Sequence, residues 1–411
     1  MTAATARTWV EGADGSLYDI DNLPYGVFSR DGEAPRVGVR IGDHVLDVAP
    51  VAAGDMLEVA HVFEAPDLNP LMAMGRPTWE SVRLWLVSLL TDESRRDLVE
   101  PLLVPLSQVQ LHLPAAIADY VDFYCSLDHA SNVGRMMRPD EQPLKPNWRH
   151  LPVGYHGRAG TVVVSGTPIH RPQGQMVSTG STAAGRPIPR YGPSRRLDIE
   201  CELGFLVGTP SQLGDQVPVS AFADHVFGVL PLNDWSARDI QGWEYVPLGP
   251  FLGKSFATSV SGWVTPLSAL EAARVDLPGQ DPEPLEYLRV GPGAGYDIDF
   301  EVLLNGEVVT RPPYSSMYWS PAQMLAHLTV NGASLRVGDL FASGTISGPM
   351  REQRGSFLEL SWGGKEPFDV AGHPRTFLED GDEVVIRATA PGTRGGRIGL
   401  GEVSGRILPA R

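Results

Sequence analysis

The stretch Phe227–Ser255, FGVLPLNDWSARDIQGWEYVPLGPFLGKS, packs Asp234, Arg238, Asp239, Gln241, Glu244 and Lys254 among aromatic and small residues. A surface helix gathers its charges on one face and repeats apolar residues every three or four positions. Here single charges sit among residues that read as buried, and a buried charge is costly unless it is paired or holds a metal. A second such stretch, DYVDFYCSLDHASNVGRMMRP, carries Asp122, Tyr124, His129 and Arg138. His129 is the candidate general base, because imidazole titrates near physiological pH. In RRLDIECELGFLVG, strand alternation puts Leu197, Ile199, Cys201 and Leu203 on one face and Asp198, Glu200 and Glu202 on the other. Glu200 and Glu202 then repel unless water or a cation lies between them, and oxygen ligands of this kind suit Ca²⁺ or Mg²⁺. Asp297, Asp299 and Glu301 alternate in the same way and read only as a half-solvated strand. Asp122 and Asp234 are the company that sets the first group apart.

Several other chemistries are excluded. GPFLGKS has three residues between its glycines where a phosphate-binding P-loop needs four, and Pro250 removes an N–H. His150 and His156 lack the spacing of an HExxH zinc site, and there is no GxSxG nucleophile elbow. Cys125 lies in an apolar run with carboxylates nearby, which raises a thiol pKa, so it reads as packing.

These residues need a scaffold. The 411 residues suggest two domains, and the formal charge of −16 argues against nucleic acid and anionic membranes as partners. Two cysteines, no apolar signal core and no run of about 18 apolar residues point to a cytoplasmic protein without a membrane span. Residues 24–48 alternate as three short strands, and a helical pattern between Thr78 and Leu103 aligns Val82, Trp85, Leu86, Leu89 and Leu90. A change of character at Leu113-Pro114 marks a boundary, with a structural domain over 1–115 and a β-rich domain over 116–411. Strands are expected at Thr161–Val164, Leu197–Val207, Phe357–Trp362 and Glu383–Ala388. A hairpin over 297–310 is expected to turn at Asn305-Gly306, the pair suited to a type I′ turn.

The segments DYVDFY, DHASNVG, LPVGYHGR, VVSGTPI, LDIECELGFLVG, NDWSARDIQGWEYVPLGPFLGKSF, VNGASLRVGDLFASGTISG and LELSW resemble the fumarylacetoacetase family. NLPYGVFS and PRVGVRIGDHVLDV extend the resemblance over essentially the whole chain. It implies a mainly β fold, with a small N-terminal SH3-like barrel and a large C-terminal mixed β-sandwich roll, assembled as a homodimer. It also implies metal-dependent hydrolysis of a C–C bond in 4-fumarylacetoacetate, giving fumarate and acetoacetate, the last step of tyrosine catabolism. By matching positions, Asp122, Glu200, Glu202 and Asp234 fall to the divalent cation, Ca²⁺ or Mg²⁺. His129 matches the base and Glu359 the acid that orients it. Arg238, Gln241 and Lys254 match groups around the developing anion. Tyr124, Arg138, Tyr155, Gln241, Tyr245 and Thr345 match substrate contacts, and Lys254 and Thr258 match a second, structural cation site. The loops 174–193, 138–142 and 348–355 depart from the animal enzymes; the first reads as longer and more flexible, the last as a lid near Thr345 and Glu359. The alternatives are a related acylpyruvate or 2,4-diketo acid hydrolase and a non-catalytic, metal-stabilised binding protein.

Overall fold

The runs Cys201–Val207 and Val226–Asp234 are buried at every position. Strands covered on both faces read as unbroken apolar runs rather than as alternation. In the computed structural model, which describes residues 7–181 and 185–411, these two strands form the middle of the largest sheet. Its order is Leu103–Pro105, His44–Asp47, Arg36–Ile41, Tyr25–Ser29, Trp263–Pro266, Val226–Asp234, Cys201–Val207, Leu340–Ala342, Tyr120–Phe123, Gly154–His156. The pairing is mixed: Leu340–Ala342 runs parallel to Tyr120–Phe123, and Thr258–Val260 parallel to Val162–Val164.

Each face of this sheet is covered by its own core. Cys201, Leu203, Phe205 and Val207 join an apolar cluster shared with a second, five-stranded sheet. That sheet runs Glu307–Thr310, Asp299–Leu304, Glu383–Pro391, Arg397–Leu408, Ile169–His170, so the two sheets sandwich this core. On the opposite face Leu206, Leu230 and Leu232 pack with Val27, Val39, Leu86 and Leu90 from the N-terminal residues.

The N-terminal strands do not close into a barrel among the described residues. Tyr25 and Gly26 pair instead with Val264 and Trp263, so their edge continues into the shared sheet. The fit is close: a Cβ on Gly26 would lie 2.7 Å from the Trp263 ring. The three strands expected over 24–48 form as Tyr25–Ser29, Arg36–Ile41 and His44–Asp47. Asn305 (φ 52°) and Gly306 (φ 87°) make the turn between Asp299–Leu304 and Glu307–Thr310.

Other expectations change. The helix is Arg76–Thr91 and stops where the Asp92 side chain accepts the Ser94 N–H. Leu197–Val207 breaks at Ile199-Glu200 into two strands. Phe357–Trp362 is not a strand: Phe357–Leu360 is one helical turn. Residues 173–193 form an antiparallel ribbon, Gln173–Ser181 with Pro187–Pro193, and residues 182–184 of that loop lie outside the described residues. The 348–355 loop is tethered, with Arg351 bonded to Leu360 O and Arg354 Nη1 donating to Glu359 O at 2.9 Å.

Trp235, next to Asp234, is fully buried and donates its Nε1–H to Ser259 Oγ at 2.9 Å. Trp235→Ala is expected to cost about 3–5 kcal/mol in urea unfolding, as other large buried aromatics do. A loss near zero would mean that this core is not packed as described.

Candidate active site

Strand register brings the acidic groups together. Cys201 stands opposite Asn233, and the Glu200 carbonyl accepts the Asp234 N–H at 3.2 Å. Asp122 enters through the pairing of its strand with Ala342 and Tyr155. Oxygens of Asp122, Glu200, Glu202 and Asp234, all buried, lie within 4.8 Å of one another. Among the described residues this is the one such cluster of acidic, His or Cys groups. One Asp122 oxygen and both Glu202 oxygens have no hydrogen-bond partner. Unpaired buried acceptors are costly, and an all-carboxylate set fits a hard divalent cation.

The electrostatics agree with that fit. Burial, then Asp234, pushes Asp122 well above the usual carboxylate range. Burial, then Asp122 and Glu200, does the same to Glu202. Burial also pushes Glu200 up, but Lys254, Arg238 and His129 override it and hold that carboxyl below its ordinary value.

Lys254 donates to Glu200 Oε2 and, at 2.7 Å, to Asp234 Oδ2. Burial opposes its charge, yet Asp234 and Glu200 hold the ammonium above its usual pKa. An ammonium has no lone pair, so the Lys254 side chain acts here as a donor to these two acids. Thr258 Oγ1 is likewise turned on Asp234 Oδ1, at 2.8 Å, as is Tyr155 OH on Asp234 Oδ2, at 2.9 Å.

His129 sits in the first turn of the helix Leu127–Met137, whose N-cap Ser126 Oγ accepts the His129 N–H. Its Nδ1 lies 2.6 Å from Glu359 Oε2, and its Nε2 lies 4.0 Å from Glu200 Oε1. Glu359 is fully buried and also accepts from Asn132 Nδ2 at 3.0 Å, Ser347 Oγ at 2.9 Å and Ser356 Oγ at 2.9 Å. Burial disfavours its charge, but His129 and these donors hold it below the ordinary range. Beside an ionised Glu359, Nδ1 carries the hydrogen and Nε2 is left to accept one.

Arg238 donates from Nε to Asp198 Oδ2 at 2.7 Å and from Nη1 to Glu200 Oε1 at 2.7 Å and Gln241 Oε1 at 3.2 Å. Its Nη2 is buried without a partner. A cavity of about 830 Å³ is lined by His129, Glu200, Arg238, Gln241 and Lys254, and equally by Tyr124, Arg138, Tyr155, Tyr245 and Thr345. Asp122 reaches this lining; Glu202, Asp234, Thr258 and Glu359 stand behind it. The arrangement unites a poised imidazole, a cluster fit for a cation and three cationic or amide groups around one space.

The family models match this chain in two blocks: fumarylacetoacetate hydrolase C-terminal over residues 119–407, and fumarylacetoacetase N-terminal over 21–114. The chain belongs to the fumarylacetoacetase family. The fumarylacetoacetase of Homo sapiens is 48% identical over 415 residues, covering 97% of this chain and 98% of that protein. That of Oryza sativa is 44% identical over 424 residues, covering 98% and 97%. Among solved structures, a fumarylacetoacetate hydrolase from the psychrophilic Exiguobacterium antarcticum shares the fold, with a TM-score of 0.56 at 19% identity over 95% of this chain and 100% of that one.

Within this fumarylacetoacetase-family site, sequence reading missed the groups that hold Glu359 and Arg238. Asn132, on the helix that carries His129, and Ser347 and Ser356, each beside a glycine in a loop, carried no local signal, since single polar residues in such places are common. Asp198 was visible only as a third acid in an alternating strand.

Asp122 and Glu202 are raised by the fold, so the ion-free folded chain keeps protons that the unfolded chain has released. Its stability from these groups is present at low pH and declines as pH rises above the ordinary range of about 4 through their raised values. A divalent ion displaces those protons. Calorimetry on chelated protein at about pH 7, in buffers of different ionisation heat, should register proton release on ion binding. Buffer-independent heats would mean that Asp122 and Glu202 hold no proton in the ion-free protein.

Proposed function

We propose that this chain hydrolyses the C–C bond of 4-fumarylacetoacetate to fumarate and acetoacetate, the last step of tyrosine and phenylalanine catabolism. Full-length similarity to fumarylacetoacetases supports the reaction. The observation that carries the site assignment is the His129–Glu359 contact of 2.6 Å, with Nε2 turned toward the cavity wall at Glu200. Asp122, Glu200, Glu202 and Asp234 would hold Ca²⁺ or Mg²⁺, which when bound supplies Lewis-acid polarisation of a diketone oxygen.

The chain's own residues do the rest. His129 Nε2 takes a proton from water, whose oxygen adds to the carbonyl carbon of the fumaryl group. Glu359 stabilises the imidazolium that results. The C–C bond breaks, its electron pair leaves on the acetoacetyl carbon, and His129 returns the proton there. The hydroxyl remains on fumarate, so atoms and charge balance. Arg238, Gln241 and Lys254 stabilise the negative charge as it moves, and one such donor is typically worth about 10²–10³ in rate. Arg138, whose buried Nε has no hydrogen-bond partner and stands 3.9 Å from Glu141 Oε2, suits a substrate carboxylate; Thr345 Oγ1, also without a hydrogen-bond partner, suits a substrate oxygen. Tyr124, Tyr155 and Tyr245 would contact substrate from the same lining.

Residues 116–411 act as the catalytic domain and 1–115 as its support; among the described residues no lining residue precedes Asp122. A homodimer is supported by the exposed Val246, Leu248 and Phe251 beside the cavity segment. A cytoplasmic setting is supported by two buried, unpaired cysteines; no helix of the described residues is long and apolar enough to cross a membrane.

The test follows ultraviolet loss of fumarylacetoacetate by chelated enzyme with Ca²⁺ or Mg²⁺ restored, identifying both products. Turnover only with metal is expected. No turnover, or preference for acylpyruvates, would move the chain to another 2,4-diketo acid. His129→Ala is expected to lower kcat by about 10²–10⁴-fold, the usual worth of a general base; unchanged kcat would unseat His129.

A further inference from the structure

We infer that Asp198 is a positioning residue that locks Arg238 and the helical turn bearing Glu359 into one arrangement. The inference rests on the hydrolase reading above. Asp198 is fully buried and lies in the short strand Leu197–Asp198. Its Oδ1 accepts the N–H groups of Ile199 at 2.8 Å and Phe357 at 2.8 Å. Its Oδ2 accepts the N–H of Leu358 at 3.0 Å and Nε of Arg238 at 2.7 Å. A carboxylate offers about four lone-pair sites, and these four donors fill them.

Two of those donors begin the helix Phe357–Leu360. The first N–H groups of a helix have no partner within it, and one isolated turn does not persist alone. Asp198 takes two of them, and Ser356 Oγ takes the Glu359 N–H at 3.3 Å. Glu359 sits in this turn, so a shift of the turn carries its carboxylate away from His129. On the other side, Arg238 presents a planar fork. Asp198 holds Nε while Glu200 holds Nη1, which fixes the plane and leaves the unpartnered Nη2 on a residue lining the cavity. One ionised side chain thereby registers the acid–base pair against the anion donor. Asparagine cannot replace it, because its NH₂ must face an N–H donor whichever way the amide is turned.

The experiment is Asp198→Asn in the full-length, metal-loaded enzyme. Expected is a fall in kcat of about 10–100-fold, with KM changed less than about threefold and ion affinity retained. In Arg238→Gln or Glu359→Gln backgrounds the same change should cost less than in the wild type, because one of the two side chains it positions is already gone. Unchanged kcat per folded molecule, or full additivity in both backgrounds, overturns the inference. Should Asp198→Asn fail to fold, Asp198→Glu keeps the charge but displaces it by one methylene; full kcat in that variant also overturns it. The wild type separates the two readings: an inert wild type defeats the hydrolase reading. Amide exchange at Phe357 and Leu358 then still decides, faster in the variant if Asp198 holds them and unchanged if it does not.

Discussion

Mutual repulsion among buried carboxylates is the constraint on which the rest of this structure depends. Two unit charges about 4 Å apart repel by about 4 kcal/mol at an effective dielectric of about 20. Asp122, Glu200, Glu202 and Asp234 crowd within 4.8 Å, with Asp198 held against the same arginine as Glu200. Among the described residues, Lys254 and Arg238 are the lysine and arginine that pair directly with these five acids. The deficit is met in one of two ways: by protons, which explains the raised Asp122 and Glu202, or by a divalent ion, which the unpartnered oxygens of the same two residues would receive. Glu200, held by Lys254 and Arg238, is the member that does not need a proton.

Such a cluster survives only where the backbone cannot move apart to relieve it. The central strands supply that rigidity, because each is covered on both faces by apolar side chains. Alternation puts Glu202, Asp122 and Asp234 on the face where Leu206, Leu230, Leu232 and Tyr120 meet the N-terminal residues. The N-terminal segment therefore does chemistry no favour directly; it closes the apolar face at whose end the carboxylates sit. Joining its strands to Trp263–Pro266 makes that cover part of the same sheet rather than a detachable module.

What was legible in the sequence follows the range of the interactions. Strands that alternate, such as those over 24–48, and the Asn305-Gly306 turn are specified by neighbours in the chain and were readable. The acidic set was readable as a suspicion from Glu200 and Glu202, and the family motifs named Asp122 and Asp234. Illegible were features set by partners far along the chain. Phe357–Trp362 alternates like a strand, but it opens as a helical turn whose Phe357 and Leu358 N–H groups are accepted by Asp198, 159 and 160 positions earlier. The Gly26 edge reads as an ordinary barrel strand until Trp263 is laid against it. The two carboxylate partners of the Lys254 side chain, Glu200 and Asp234, likewise lie far from it in the chain.

The same distinction explains how one cavity holds opposite electrostatic demands. A general base must keep an accepting nitrogen in a field crowded with carboxylates, where a proton would otherwise be held too tightly for return. Glu359 is separated from the ion cluster by the imidazole itself: it bonds Nδ1 while Nε2 stands 4.0 Å from Glu200. Its three further donors, Asn132, Ser347 and Ser356, share its charge, so the imidazole does not carry the whole of it. Arg238 and Lys254 draw Glu200 the other way, reducing its pull on Nε2. The imidazole thus lies between two acids, each already occupied by other donors.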